Sequence, residues 1–242
     1  MGRENEPGNK ATKCMIKVVK DGPYLVNCGL PLEKEFVVSD DKGTPELYKK
    51  GEAYPAQETY SLCRCGRTMN HPFCDGTHTK VGFDGTETAD RAPYLERAET
   101  TTGPGLIMTD VEKLCAYAWF CKRGGDAWSL TENSGDEGSK KMAIRDACDC
   151  PSGRLVAWDK ESGKPIEPEF DPCISLIEDL HRKTSGPLWV KGGVPVESAD
   201  GTTYEVRNRV TLCRCGKSNN KPFCDGSHCA ARFKDGDPSL SD

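Results

Sequence analysis

The chain has 242 residues, a formal net charge of −5 and only 36% hydrophobic residues. Its length allows one or two domains with small cores, and its mild acidity argues against a nucleic-acid surface. No run approaches the ~18 apolar residues of a membrane span. The fourteen cysteines are better explained by bound metal in a reducing cytoplasm than by disulfides. Metal would also staple cores too small to hold alone.

Residues 1–13 read as a polar tail with no apolar signal core. Residues 14–19 alternate and are rich in β-formers, which predicts a strand. The segment 22–32, GPYLVNCGLPL, has a partner at 186–196, GPLWVKGGVPV; each predicts a strand, a glycine turn and a second strand. Strands are expected again at 59–62 and 209–212, each leading into a cysteine-rich stretch. Between the paired segment and that stretch the first copy holds 14 more residues, assigned to the charged region 39–56. Residues 84–105 are polar and read as a linker. A different segment follows: a C-x5-C run at 115–121, a helix at 139–149 with Met142, Ala143, Ile144 and Ala147 on its apolar side, then Cys150-Pro151, and strands at 154–158 and 173–177. Trp119 and Trp189 are expected in the core, Phe83 and Phe233 beside the cysteines, and His71 and His181 in solvent. Cys14, Cys28, Cys173 and Cys229 are read as non-ligands.

The cysteine-rich stretch 63–78, CRCGRTMNHPFCDGTH, returns 150 residues later as CRCGKSNNKPFCDGSH, identical at 11 of 16 positions. Both copies have the spacing C-x-C-x8-C-x3-H: Cys63, Cys65, Cys74 and His78, then Cys213, Cys215, Cys224 and His228. Thiolate and imidazole suit zinc, copper or iron–sulfur clusters. In C-x-C the two thiolates lie on one side of an extended segment and can grip one iron. Cys74 and His78 are one helical turn apart and can grip a second from one helix face. Asp75 is placed to accept from backbone N–H groups at that helix start. Gly66 and Gly76 would let backbone approach bulky sulfide. Three cysteines and a histidine are also a legitimate zinc set, and a zinc-stabilised interaction scaffold stands as the contrasting reading.

Both stretches resemble the signature of the CDGSH iron–sulfur family, the mitoNEET-like proteins, with Thr77 in place of serine in the first copy. The resemblance implies a 2Fe–2S cluster at each copy, with Cys63 and Cys65 on one iron and Cys74 and His78 on the other. Cys213 and Cys215, then Cys224 and His228, repeat this. A histidine ligand raises the potential above that of all-thiolate ligation and makes the site proton-sensitive through its free ring nitrogen. Single-motif members resemble homodimers, so two motifs in one chain imply an intramolecular pseudo-dimer.

The segment 106–182 resembles a divergent single-cluster ferredoxin: Cys115 and Cys121 take the outer positions, Cys150-Pro151 the late one, and Ala118 stands at the middle one. Three thiolates imply a 3Fe–4S cluster; Cys148 as a fourth would permit 4Fe–4S. The contrasting reading makes Cys121 and Cys150 buried apolar side chains. The expected architecture is α+β, mostly β: two small CDGSH modules, 14–85 and 184–236, packed as a pseudo-dimer around an inserted ferredoxin-like domain, 106–182. No nucleotide loop or catalytic triad is present. The expected function is therefore non-enzymatic electron transfer by a cytoplasmic monomer working with redox partner proteins. Cluster storage and delivery to apo-acceptors is the alternative.

Overall fold

The structure, a computed structural model, describes residues 14–241, so the tail expected at 1–13 lies outside the described residues. Short alternating runs punctuated by glycine turns form β1 (Ile16–Val18), β2 (Tyr24–Val26), β3 (Leu32–Ser39), β4 (Pro45–Ala53) and β5 (Tyr60–Leu62). After the first cysteine-rich stretch come α1 (Thr77–Lys80), α2 (Tyr94–Arg97), β6 (Glu99–Thr102) and β7 (Leu106–Asp110). Then follow α3 (Ala127–Glu132), α4 (Glu137–Cys148), β8 (Leu155–Asp159) and β9 (Pro165–Ile166). The chain ends in β10 (Cys173–Asp179), β11 (Thr184–Lys191), β12 (Val196–Glu197), β13 (Arg209–Leu212) and α5 (Ser227–Ala230). The architecture is α+β and rich in strand.

Three sheets result, in the orders β12-β1-β2-β5, β13-β11-β10-β3-β4 and β6-β7-β8-β9. The first two repeat one register. Tyr24 lies opposite Leu62 as Leu188 lies opposite Leu212, and Ile16 opposite Val26 as Ile174 opposite Val190. The strand after each glycine turn then leaves its own sheet. Leu32 of β3 pairs in parallel with Ile174, and Val196 of β12 pairs in parallel with Ile16. Each repeat thus lends a strand to the other's sheet, and the buried faces fuse into one core holding Ile16, Tyr24 and Leu62 with Ile174, Leu188 and Leu212. A one-residue slip would turn these apolar side chains to the opposite face, so burial fixes the register.

The extra residues of the first copy form β4, antiparallel to β3 at the sheet edge and exposed along most of its length. Its Lys49, Lys50 and Glu52 blunt an edge that would otherwise template further pairing. Two expectations need correcting. The polar stretch 84–105 is not a free linker. It contains α2 and β6, and Glu87 accepts from Ser198, Ala199 N and Tyr204 while Arg91 pairs with Asp200. The strand at 173–179, assigned to the middle domain ending at 182, belongs to the second sheet, between β11 and β3. It is the counterpart of β1, and its buried positions run nearly the whole strand because it is central.

The middle segment builds its own small core. Leu106 and Met108 of β7 and Leu155 and Ala157 of β8 pack against Ala127, Ala143 and Ala147 of the helices. Asp126 and Asp136 cap α3 and α4 by accepting from Ser129 N and Ser139 N. On the buried face of α4, Asp146 accepts from Arg123 Nε at 2.9 Å, while its other oxygen is buried without a partner. Burial pushes this carboxyl up from 3.8 to about 7, against the pull of Arg123. The folded state therefore holds a proton that the unfolded chain gives up. The stability Asp146 contributes is full below about pH 4 and is lost as pH rises through about 7. Asp146→Asn should flatten this part of the decline in melting temperature between those limits; an unchanged slope in a thermal-unfolding series would contradict the assignment.

Candidate metal centres

Cys63 and Cys65 leave the end of β5 with their Sγ atoms 3.5 Å apart, and Cys213 and Cys215 leave β13 with theirs 3.7 Å apart. The chain then loops back onto the same strand. Cys74 N donates to Ser61 O at 2.9 Å and Cys224 N to Thr211 O at 2.8 Å. Asp75 closes the loop by accepting from Met69 N and Thr77 N, both at 2.9 Å, which hold its carboxyl well below the usual range. Asp225 does the same with Asn219 N and Ser227 N. A left-handed glycine, Gly76 (φ 84°) or Gly226 (φ 83°), starts each four-residue helix. This brings His78 Nδ1 to 3.3 Å from Cys74 Sγ, and His228 Nδ1 to 3.4 Å from Cys224 Sγ. The pairing expected from one helix face is reached differently. Each cysteine precedes its helix, and the glycine turn folds the histidine back over it.

The arginine inside each C-R-C, identical in the two copies, escaped notice as a structural residue; its identity was the available signal. Arg64 donates to the carbonyls of Val19, Gly22 and Gly85. Arg214 is buried and donates to Gly186 O and Ile177 O while pairing with Glu178 and Asp235. Each guanidinium therefore staples the cysteine loop to the strands before it. The first glycine of the motif serves a different purpose from the one expected. A Cβ on Gly66 would lie 2.7 Å from Cys215 O, and one on Gly216 would lie 2.6 Å from Cys65 O. The two loops sit back to back, and only glycine permits that approach. The Tyr24 hydroxyl, from the first repeat, donates to Cys213 O and Pro222 O of the second.

Soft thiolate with imidazole is a donor set that suits an iron–sulfur group. Among the described residues no three His, Cys, Asp or Glu side chains converge on one point; the donors come as a thiol pair and a thiol–imidazole pair in each copy. Tetrahedral zinc needs four donors about one centre, whereas a 2Fe–2S group takes two at each iron. Burial pushes Cys65 up to about 11 and Cys224 well above the ordinary thiol value. Cys213 is instead drawn down to about 6 by the Cys215 thiol hydrogen-bonded to it. Most of these sulfurs would carry negative charge only beside a bound cation. Burial also lowers His228 to about 4, leaving the neutral ring a ligand must be.

The middle cysteines assemble less completely. Cys115 and Cys121 line a cavity of about 270 Å³ with Tyr117, Trp119, Trp128 and Asp225. Burial pushes Cys121 up to about 12, and Cys150 and Cys115 raise it further; Cys150 does not line this cavity, and its Sγ lies 3.6 Å from Ser152 Oγ. Tyr117 (φ 55°) and Trp119 (φ 66°) both hold left-handed backbone on either side of Ala118. Two such residues in one loop are strain of the kind kept at working sites. Trp119 is 44% exposed, not in the core as expected; Trp189 is buried at 3%. Cys148 is not brought to the cavity. Its Sγ faces Ile166 O at 3.7 Å, and it lines a separate cleft with Cys173. Cys14 and Cys28, read as non-ligands, form a disulfide across the β1–β2 hairpin, so metal does not account for every cysteine. His71 is half-buried with its ring edge-on to Phe233 rather than solvated.

Residues 21–79 and 185–229 match the family described as iron-binding zinc finger CDGSH type, and residues 101–160 match the family described as divergent 4Fe-4S mono-cluster. No curated protein and no solved structure matches the chain.

Gly76 and Gly226 offer a matched comparison. An alanine at either meets left-handed strain of about 1–2 kcal/mol. Only at 226 would the new Cβ also strike a side chain, 2.0 Å from Tyr117 Cδ2, while the space at 76 is open. Gly226→Ala should therefore lower the melting temperature further than Gly76→Ala; equal losses would show that Tyr117 does not pack on the second loop.

Proposed function

We propose, from the two CDGSH-type segments and the divergent 4Fe-4S mono-cluster segment that the chain matches, that this is a CDGSH-like iron–sulfur protein that transfers electrons through three iron–sulfur centres. Cys63, Cys65, Cys74 and His78 hold one 2Fe–2S group, and Cys213, Cys215, Cys224 and His228 a second. Cys115, Cys121 and Cys150 hold a third, of 3Fe–4S or 4Fe–4S type. The observation that carries the reading is the arrangement of donors as adjacent pairs, two pairs per copy.

Each group supplies a one-electron couple when bound. The protein's part is to fix the ligands and set their surroundings. Arg64 and Arg214 hold the cysteine loops in place, Asp75 and Asp225 tie off their far ends, and burial keeps water from the second copy. Those surroundings tune potential through second-shell bonds and solvent access. The reciprocal pairing of β3 and β12 supports an intramolecular pseudo-dimer. Its modules are 14–85 and 184–236, with strand β10 joined to the second and the middle unit inserted before it. Among the described residues no helix is long and apolar enough to cross a membrane. Redox partner proteins are the class of partner this reading needs.

A second reading, cluster delivery to an apo-acceptor, draws on the half-exposed Cys74 and His78 of the first copy. An acceptor assay separates the two: in a carrier the visible absorption stays with this chain, and in a delivery protein it moves.

The purified protein should be brown or red, with about seven or eight irons and matching sulfide. Cys121→Ala should remove about half of that iron and leave the absorption of the paired 2Fe–2S groups. A colourless protein holding zinc would overturn the proposal in favour of a structural scaffold.

A further inference from the structure

Building on that reading, we propose that the two CDGSH sites are not equivalent: the second is a sealed relay between the middle-segment site and the first, and the first is the one open to solvent. The ligand spacing is the same in both copies, but the cover is not. His228 is 6% exposed and Cys224 2%, whereas His78 and Cys74 are only half-buried. The C-x5-C loop makes the difference. Tyr117 packs on Gly226, and Ala116, Ala118 and Pro151 wall the space beside His228. Around Gly76 nothing occupies that position.

The middle segment is anchored to the second copy by side chains that the first copy lacks or leaves free. Asn220 donates to Lys113 O at 2.9 Å; its counterpart Asn70 is exposed. Arg209 is buried and donates to Cys150 O and Ala147 O, both at 2.8 Å, fixing the loop that carries the third thiol. The residue at its place in the first copy is Thr59. Asp225, inside the second motif, lines the same cavity as Cys115 and Cys121. On its other side the second motif meets the first, where Gly66 and Gly216 set the loops back to back. The order is therefore middle site, second motif, first motif.

One electron entering at the Cys115–Cys121 cavity from a one-electron protein donor passes to the second site, which is reduced as the middle one is reoxidised. It passes on to the first site, which is reduced as the second is reoxidised, and leaves to a one-electron acceptor. No bond to the protein forms or breaks.

Iron release from the dithionite-reduced full chain to bathophenanthroline disulfonate, a bulky anionic chelator, tests the cover. Pools are assigned with Cys74→Ala and Cys224→Ala. The first site should lose iron at least about tenfold faster than the second, as an open region does against one that must first unfold locally. Tyr117→Gly removes the covering ring at a left-handed position where glycine adds no strain; it should bring the slow pool to the fast rate. Electron paramagnetic resonance tests the order. In reduced Cys74→Ala the remaining CDGSH signal should be broadened by the reduced middle centre and sharpen when Cys121→Ala is added; in Cys224→Ala the remaining signal should already be sharp. One common release rate, a slow pool unmoved by Tyr117→Gly, or equal broadening of both signals would overturn the inference while leaving three-centre electron transfer standing. An iron-free protein would overturn both.

Discussion

The contact on which the rest depends is made of backbone. Two cysteine loops meet at Gly66 and Gly216, each lying against the carbonyl of a motif cysteine in the other copy. An approach that close leaves no room for a side chain, and no pair of strands alone would hold it. The exchanged strands β3 and β12 supply the hold, because each repeat must keep part of its backbone in the other's sheet. Arg64 and Arg214 then transmit that constraint to the motif cysteines by bonding the cysteine loops to strand ends. Sheet, loop and cysteine geometry are thus one mechanical unit, and loosening any one of them loosens the others.

Much of this could be read in the residues before any coordinates. The duplicated strand–turn–strand pattern and the strands entering each motif are where alternation put them, because period-2 burial leaves little choice of face. The paired thiol and thiol–imidazole contacts follow from each motif's local spacing. What stayed hidden was set by partners far along the chain. Gly66 answers to Cys215, Tyr24 to Cys213, and Glu87 to Tyr204, and no local pattern announces such pairs. Residues 173–179 looked like part of the middle segment because they follow it; their place is decided by β3, more than 130 positions earlier. Trp119 was misread because its size suggested burial, while its left-handed backbone turns it outward at a cavity rim. The Cys14–Cys28 link is masked in the sequence by the motif cysteines, whose spacing points to metal instead.

The middle segment is the part where sequence and structure inform each other most. Cys115 and Cys121 line one cavity, yet the loop between them carries strain on both sides of Ala118, and Ala118 itself packs toward Val37, Ile177 and Trp189. Ala118, at the position where the ferredoxin resemblance expects a cysteine, packs inward, and its neighbour Tyr117 lies against Gly226 of the adjoining motif.

Joining two copies in one chain has a consequence that a symmetric dimer can never reach. In a homodimer every mutation is inherited by both sites at once, so neither can change while its twin is preserved. Here Tyr24 faces the second motif from a position whose counterpart is Leu188, and Arg209 stands where the first copy has Thr59. Those differences could accumulate one at a time, under separate selection. The single chain keeps the shared scaffold while its two halves carry different side chains.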